Sequence, residues 1–240
     1  MPTQLFLGNA TIQDGIESFD CWRSRKEPID VLNFTLRPQV SIKVENKAPV
    51  IFLLGLPGGT LKPVFGGAID RTVSPYRARD KMADMMQPVK QAFTDILPQE
   101  VLSYVLKMKG IEKAELSPKQ FPRKNFVADA PTFYELILQV NRAWGVNYDG
   151  YFDVEQTFHW HERKEQSKLP IFAYGENIIN LEFDGTAGTL LTVLVPEIEH
   201  SQLIGIEHPD VEVQEVLVDT IHHYTNDTGG LRTEIFFSVP

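Results

Sequence analysis

The chain has 240 residues, of which 42% are hydrophobic, 10% aromatic and 23% charged, a globular composition that excludes disordered, collagen-like and membrane-spanning classes. Lys and Arg number 23 against 32 Asp and Glu, a formal net charge of −9, so the overall field repels phosphate backbones and argues against tight nucleic-acid binding. The single cysteine, Cys21, excludes an internal disulfide and a cysteine-rich zinc module. No Lys or Arg precedes Arg23, and no run reaches the roughly 18 to 20 apolar residues of a membrane helix. Folding in a cytoplasm without membrane insertion is therefore expected.

From Leu5 to Thr72 short apolar or alternating stretches are separated by turn residues, including Asp14-Gly15, Pro57-Gly58-Gly59 and Gly66-Gly67. Val40, Ile42 and Val44 share one face of a predicted strand, and Ile51 to Leu54 is a continuous apolar run. This pattern suits a small barrel or sandwich. After Ser74-Pro75 helix formers dominate, and two helices are predicted, over Tyr76 to Gln91 and Ala92 to Lys109, with Ile96, Val101, Tyr104, Val105 and Met108 on a buried stripe. A further helix is predicted from about Ala130 to Trp144, with Pro131 in its first turn, Phe133, Leu136, Ile137 and Val140 as its apolar face, and Gly145 as its stop.

Strands return from Val146. The predicted segments are Tyr151 to His161, Asn177 to Phe183, Thr189 to Val195, Gln214 to Tyr224 and Leu231 to Val239, the last two joined by a hairpin at Asn226 to Gly230. The division expected is a first β-barrel at 1–75, a helical middle region at 76–145, a mixed β segment at 146–177 and a second β-barrel at 178–240. The fold class is mainly β with an α insert.

Residues capable of chemistry are sparse. His159 and His161 lie on one side of a strand and are the weak candidates for metal ligands, with no third ligand evident nearby; a solvated strand face is the bland account. His222 and His223 point to opposite faces, one in and one out. Cys21, beside Trp22, reads as a buried structural thiol. Leu56 to Lys62 lacks the spacing of a phosphate loop and reads as a wide hairpin turn. Asp149 and Asp153 could in principle pair for acid/base work, although acids beside turns are common in a chain of this charge. Neither a dinucleotide, a hydrolase nor a zincin motif occurs, and no catalytic residue or cofactor is expected. Arg71, Arg77, Arg79 and Lys81 form a local basic cluster, read either as a solvated surface or as a contact for an acidic partner.

The order of these segments resembles bacteriophage tail hub proteins, the late-control tail protein family. The phrases that carry the likeness are Ile12 to Ile16, Trp22-Arg23-Ser24, Ile29-Asp30 with Phe34-Thr35-Leu36, Val40 to Val44 and Val64 to Asp70. Phe133 to Ile137 followed by Trp144-Gly145-Val146 and a Tyr-Phe-Asp strand is similar to the hub middle segment. Val195-Pro196-Glu197, Ile204 to Ile206, Val216 to Tyr224 and Gly229 to Glu234 are similar to the closing barrel.

The resemblance implies a structural virion component rather than an enzyme: a homotrimeric baseplate hub, assembled in the host cytoplasm. Its two barrels per chain would make six positions in a ring, connecting the hexameric tail tube to the trimeric central spike and lining the DNA exit channel. Implied partners are the tube protein, the spike protein, other baseplate proteins and a tape measure protein, with DNA only in transit. No appended lysozyme-like or peptidase-like segment is recognised, so wall-cutting activity is not carried over. Candidate contacts are Pro57, Gly58 and Gly59, the cluster Arg71, Arg77 and Arg79, and the tip at Asn226, Asp227, Gly229 and Gly230, each with an ordinary exposed turn or surface as the bland account. Other readings are a hexameric tail ring component, an enzyme with a metal at His159 and His161, and a monomeric binding module.

Overall fold

A computed structural model describes residues 2–163, 166, 168–211 and 215–240. The chain forms two compact units, residues 1–80 with 164–240 and residues 81–163. Among the described residues strands dominate and two α-helices are present, as the mainly β class requires.

The first unit begins with β1 (Thr3–Leu7), β2 (Ala10–Gln13), β3 (Ile16–Ser24), β4 (Val31–Leu36), β5 (Pro49–Leu54), β6 (Lys62–Arg71) and β7 (Tyr76–Arg79). Period-two alternation sends Leu5 and Leu7 of β1 and Val50, Phe52 and Leu54 of β5 inward, while Phe6 and Ile51 oppose each other on the outer face. With Phe19, Leu32, Phe34, Phe65 and Ile69 these form one apolar core. Each fully buried Phe or Leu contributes roughly 1.5–3 kcal/mol. The predicted strand Val40 to Val44 is absent, although all three of its apolar side chains still pack on this core.

The helix predicted over Tyr76 to Gln91 is corrected by the structure. Tyr76–Arg79 is β7, paired with both β4 and β6; Lys81–Met85 is a single 3-10 segment; and β8 (Val89–Ile96) begins the second unit's sheet. Helical composition loses here to sheet pairing, with the adjacent β6 and the more distant β4 for one strand and with a strand about 30 residues on for the other. The unit continues with α1 (Pro98–Met108), β9 (Ala114–Leu116), β10 (Arg123–Ala130), α2 (Phe133–Trp144), β11 (Asp149–Phe152) and β12 (Phe158–His161). β8 and β10 pair antiparallel, and a second sheet has the order β11-β12-β9.

Pro98 opens α1, where its missing N–H is harmless, and the Glu100 carboxylate accepts the Leu97 N–H at 2.9 Å. Its buried face is Val101, Leu102, Val105 and Leu106; Tyr104 and Met108, predicted to be inside, are exposed. The start of α2 is set by Thr132, whose hydroxyl accepts the Glu135 N–H at 3.1 Å, with Pro131 one residue before the cap rather than in the first turn. Phe133, Leu136, Ile137 and Val140 are buried as predicted, and Gly145 closes the helix at φ 65°.

The chain then returns to the first unit with β13 (Ile171–Ala173), β14 (Ile178–Phe183), β15 (Ala187–Val193), β16 (Leu203–Glu207), β17 (Glu215–Thr225) and β18 (Leu231–Ser238). The predicted start of β17 at Gln214 lies outside the described residues. A second apolar core gathers Phe172, Leu190, Ile204, Val216, Ile221, Ile235 and Phe237. Gly188 is required on β15 because a Cβ there would lie 2.3 Å from the Glu182 carbonyl and 2.5 Å from the Phe237 ring. The two cores belong to two lobes of one 13-stranded sheet, whose path runs β14-β15-β18-β17-β3-β4-β7-β6-β5-β1-β2. The lobes join where β17 pairs antiparallel with β3.

No helix among the described residues is long and apolar enough to cross a membrane.

Candidate functional site

The junction of β3 and β17 gathers several of the buried polar groups of the first unit. Alternation places Cys21 opposite His223 and Arg23 opposite Ile221, while Trp22 faces His222 and Ser24 faces Thr220 on the other side. Arg23 is 3% exposed; its Nε lies 3.2 Å from Asp30 Oδ2 and its Nη1 2.8 Å from Glu199 Oε2. Asp30 also accepts the Ser24 N–H at 2.9 Å, and buried Asp219 takes Arg25 Nε at 2.7 Å and Lys26 Nζ at 2.5 Å. Removing either partner from such a pair strands a buried charge, which costs more than the intact pair contributes.

The histidine pair divides as its strand position demands. His223 is buried, its Nδ1 2.9 Å from the Thr233 hydroxyl, and desolvation lowers its pKa to about 3. His222 stacks between Trp22 and Tyr224, with ring centroids 3.7 and 4.5 Å away, and spans Asp20 at 2.5 Å and Glu234 at 3.3 Å. Burial pushes the Cys21 thiol upward, which matches an inert structural residue.

The sequence-predicted contact residues fall in three places. Pro57, Gly58 and Gly59 form the exposed tip between β5 and β6, with Gly58 at φ 77° and the Gly59 N–H bonded to the Leu56 carbonyl at 2.9 Å, a hairpin turn as read. Asn226 builds the β17–β18 tip: its Oδ1 accepts from Gly230 N at 2.6 Å and from the Thr228 hydroxyl at 2.9 Å, leaving Asp227 and Gly229 exposed. In the basic cluster, Arg77 Nε and Arg79 Nε converge on Asp70 at 2.9 and 2.6 Å, while Arg71 is exposed at the end of β6. Asp70 thus offsets part of the positive charge that the sequence suggested.

Two features lay beyond sequence reasoning. The sheet path ends on strands β14 and β2, whose outer edges carry no strand partner among the described residues, and exposed apolar side chains accompany the ends: Ile179 on β14, Val193 on β15, and Phe6 with Ile51 on β1 and β5. A groove of about 710 Å³ also opens beside the β3–β17 junction, floored by Trp22, Phe183, Phe236 and Phe237 and rimmed by Lys26 and Asp219.

In the second unit, β12 alternates so that Phe158 and Trp160 enter the interior, Trp160 Nε1 donating to Asn141 Oδ1 at 2.9 Å, while His159 and His161 share the opposite face. The parallel register of β9 and β12 sets Glu115 beside His159, supplying the third potential ligand that the sequence did not reveal. Among the described residues, donor atoms of Glu115, His159 and His161 lie within 4.8 Å of one another. Asp153 Oδ2 lies 2.8 Å from His159 Nε2, and its Oδ1 accepts the N–H groups of Glu155 and Thr157, which ties it to the β11–β12 turn.

No family model matches the chain, and no curated protein sequence does. Solved structures do match over its full length. A 43 kDa tail protein of prophage MuSo2 from Shewanella oneidensis aligns over 100% of both chains with a TM-score of 0.76 and 11% identity. A tail protein from Neisseria meningitidis MC58 aligns over 99% of this chain and 96% of its own, with a TM-score of 0.77 and 8% identity. The chain has the phage tail-protein fold. The same fold extends to the Escherichia coli c3393 protein, a component of the type VI secretion system described as similar to T4 tail proteins gp27 and gp5, at a TM-score of 0.69 and 9% identity over 98% of this chain and 76% of that one. At such identities the likeness resides in backbone arrangement, and side-chain roles have to be argued from this chain's own residues.

Proposed function

We propose that this chain is a structural hub at the tip of a phage-type tail. In this reading it is a non-enzymatic homotrimer that joins a hexameric tail tube to a trimeric central spike and surrounds the channel through which DNA passes. The observation that carries the reading is the full-length match to tail proteins, combined with two apolar cores on one continuous sheet. Each lobe corresponds to one small barrel, and three copies present six lobes to a sixfold tube while keeping threefold symmetry for a spike.

The surface supports assembly. Open edges on β2 and β14 offer unpaired backbone groups, and the apolar residues beside them would be covered in a ring. The tips at Pro57 to Gly59 and Asn226 to Gly230 stand on rigid hairpins, the usual place for recognition, and are assigned to contacts with tube, spike and further baseplate or tape measure proteins. A net charge of −9 per copy disfavours adhesion of DNA to the assembled ring.

Averaged images of isolated tail tips test the assignment. A threefold ring containing this chain, with six similar lobes above a spike, is the expected result. A sixfold ring with one copy of this chain per position would identify a tube-like ring component instead.

A further inference from the structure

We propose that the second unit binds a divalent transition-metal ion, of the zinc type, through Glu115, His159 and His161. The site lies outside the hub reading and serves to clamp β9 to β12.

Its strongest mark is the state of the ring nitrogens. His159 Nε2 faces Asp153 Oδ2 at 2.8 Å, and His161 Nδ1 faces the Glu162 carbonyl at 2.6 Å. Both acceptors are oxygens, so these two nitrogens carry the protons in the neutral rings. The lone pairs are left on His159 Nδ1 and His161 Nε2, and those two atoms are the ones buried without a hydrogen-bond partner. His159 itself is 8% exposed. A histidine whose second nitrogen is bonded to a carboxylate or carbonyl oxygen is oriented as metal-binding histidines are, with tautomer and ring plane fixed.

The third donor completes the set. Glu115 Oε2 lies 3.5 Å from His159 Nδ1, close to the separation of two ligands that each sit about 2.1 Å from a shared tetrahedral ion. All three donor atoms lie within 4.8 Å of one another, and the Glu115 side chain is 54% exposed. Asp149, the cross-strand partner of His161, stands on the same face. Two imidazole nitrogens and one carboxylate suit zinc, cobalt or nickel better than calcium or magnesium, which favour oxygen-only shells.

The physical gain is a cross-link where backbone pairing is scant. β9 has three residues, paired in parallel with the four-residue β12, and a shared ion would bind the two strands through side chains.

The test uses the full-length chain, stripped with chelator and dialysed against zinc, with bound metal counted by mass spectrometry and the coordination read from the visible absorption of the cobalt form. One ion per chain is expected, with cobalt bands of a four- or five-coordinate site and a higher melting temperature when zinc is present. H161A should lose the ion, and D153N should weaken binding on the order of 10- to 100-fold through the orientation of His159. E115Q, altered at an exposed side chain and checked for fold by circular dichroism, should weaken it at least as much. Absence of stoichiometric zinc in the native chain overturns the proposal, as does binding that survives unchanged in both H161A and E115Q.

Discussion

The two lobes of the β unit enclose cores built from different side chains, the first the larger of the two. The first is built around aromatics, Phe19, Phe34, Phe52 and Phe65, with Phe19 meeting Phe52 edge-on at 4.9 Å. The second is filled chiefly by β-branched residues, Ile198, Ile204, Ile206, Val216, Val218, Ile221 and Ile235, with Phe172 and Phe237. Close backbone packing recurs in both: Gly67 under the Arg79 carbonyl in the first and Gly188 under the Glu182 carbonyl in the second, each with only 2.3 Å for a Cβ. Architecture can thus repeat within a chain while composition does not, because cores require volume and pattern more than identity. The specific polar chemistry is gathered between the lobes, at β3 and β17.

The largest effects should come from the cores. Phe52→Ala in the first lobe should cost about 3–5 kcal/mol and Ile235→Ala in the second about 2–5 kcal/mol, read by denaturant unfolding. Because one sheet spans both lobes, each variant should still unfold in a single transition; two separated transitions would mean that the lobes fold independently. At the junction, Arg23→Met leaves Asp30 buried without its cation and should cost about 3–5 kcal/mol, whereas adding Asp30→Leu should recover most of that loss. A double variant no better than the single one would show that the pair is not the reason for the cost.

Acid offers a third probe. The pKa of His223 is lowered to about 3 by burial, against 6.5 for the ordinary group, so unfolding takes up a proton in that interval. The contribution of neutral His223 is fully present above about pH 6.5 and is lost as pH falls toward 3, with a slope approaching 1.4 kcal/mol per pH unit, or about 2 kcal/mol by pH 5. His223→Gln should flatten that part of the stability profile, and an unchanged slope would assign acid sensitivity elsewhere. The smallest effect belongs to the half-exposed Arg77: Arg77→Ala should change stability by about 0–1 kcal/mol, since Arg79 still reaches Asp70. A loss well beyond that would make the basic cluster part of the framework of the first lobe.

Strands with one face buried were legible in the sequence. Val50, Phe52 and Leu54 alternate inward as their spacing predicts, and the Asn226 to Gly230 hairpin lies where turn chemistry placed it. The helix at Phe133–Trp144 was visible from its stripe and its glycine stop. The β8 strand was not: Lys90, Gln91, Ala92 and Asp95 are exposed and carry no alternation, so only pairing with β10 makes them a strand. Val40, Ile42 and Val44 show the reverse error, an alternating pattern that packs on a core without sheet bonds. Of the candidate metal site, His159 and His161 were evident from their spacing along β12, but Glu115 arrives through a parallel pairing with β9 that no local pattern encodes. The β3–β17 junction was equally hidden, because Asp20 and Trp22 meet His222 from the opposite end of the chain.

The central claim is that one chain supplies two ring positions. Native mass spectrometry of the purified protein addresses it most directly: a trimer is predicted, persisting at concentrations where Ile179→Lys on the open β14 edge weakens assembly. A stable hexamer or a monomer at every concentration would contradict it.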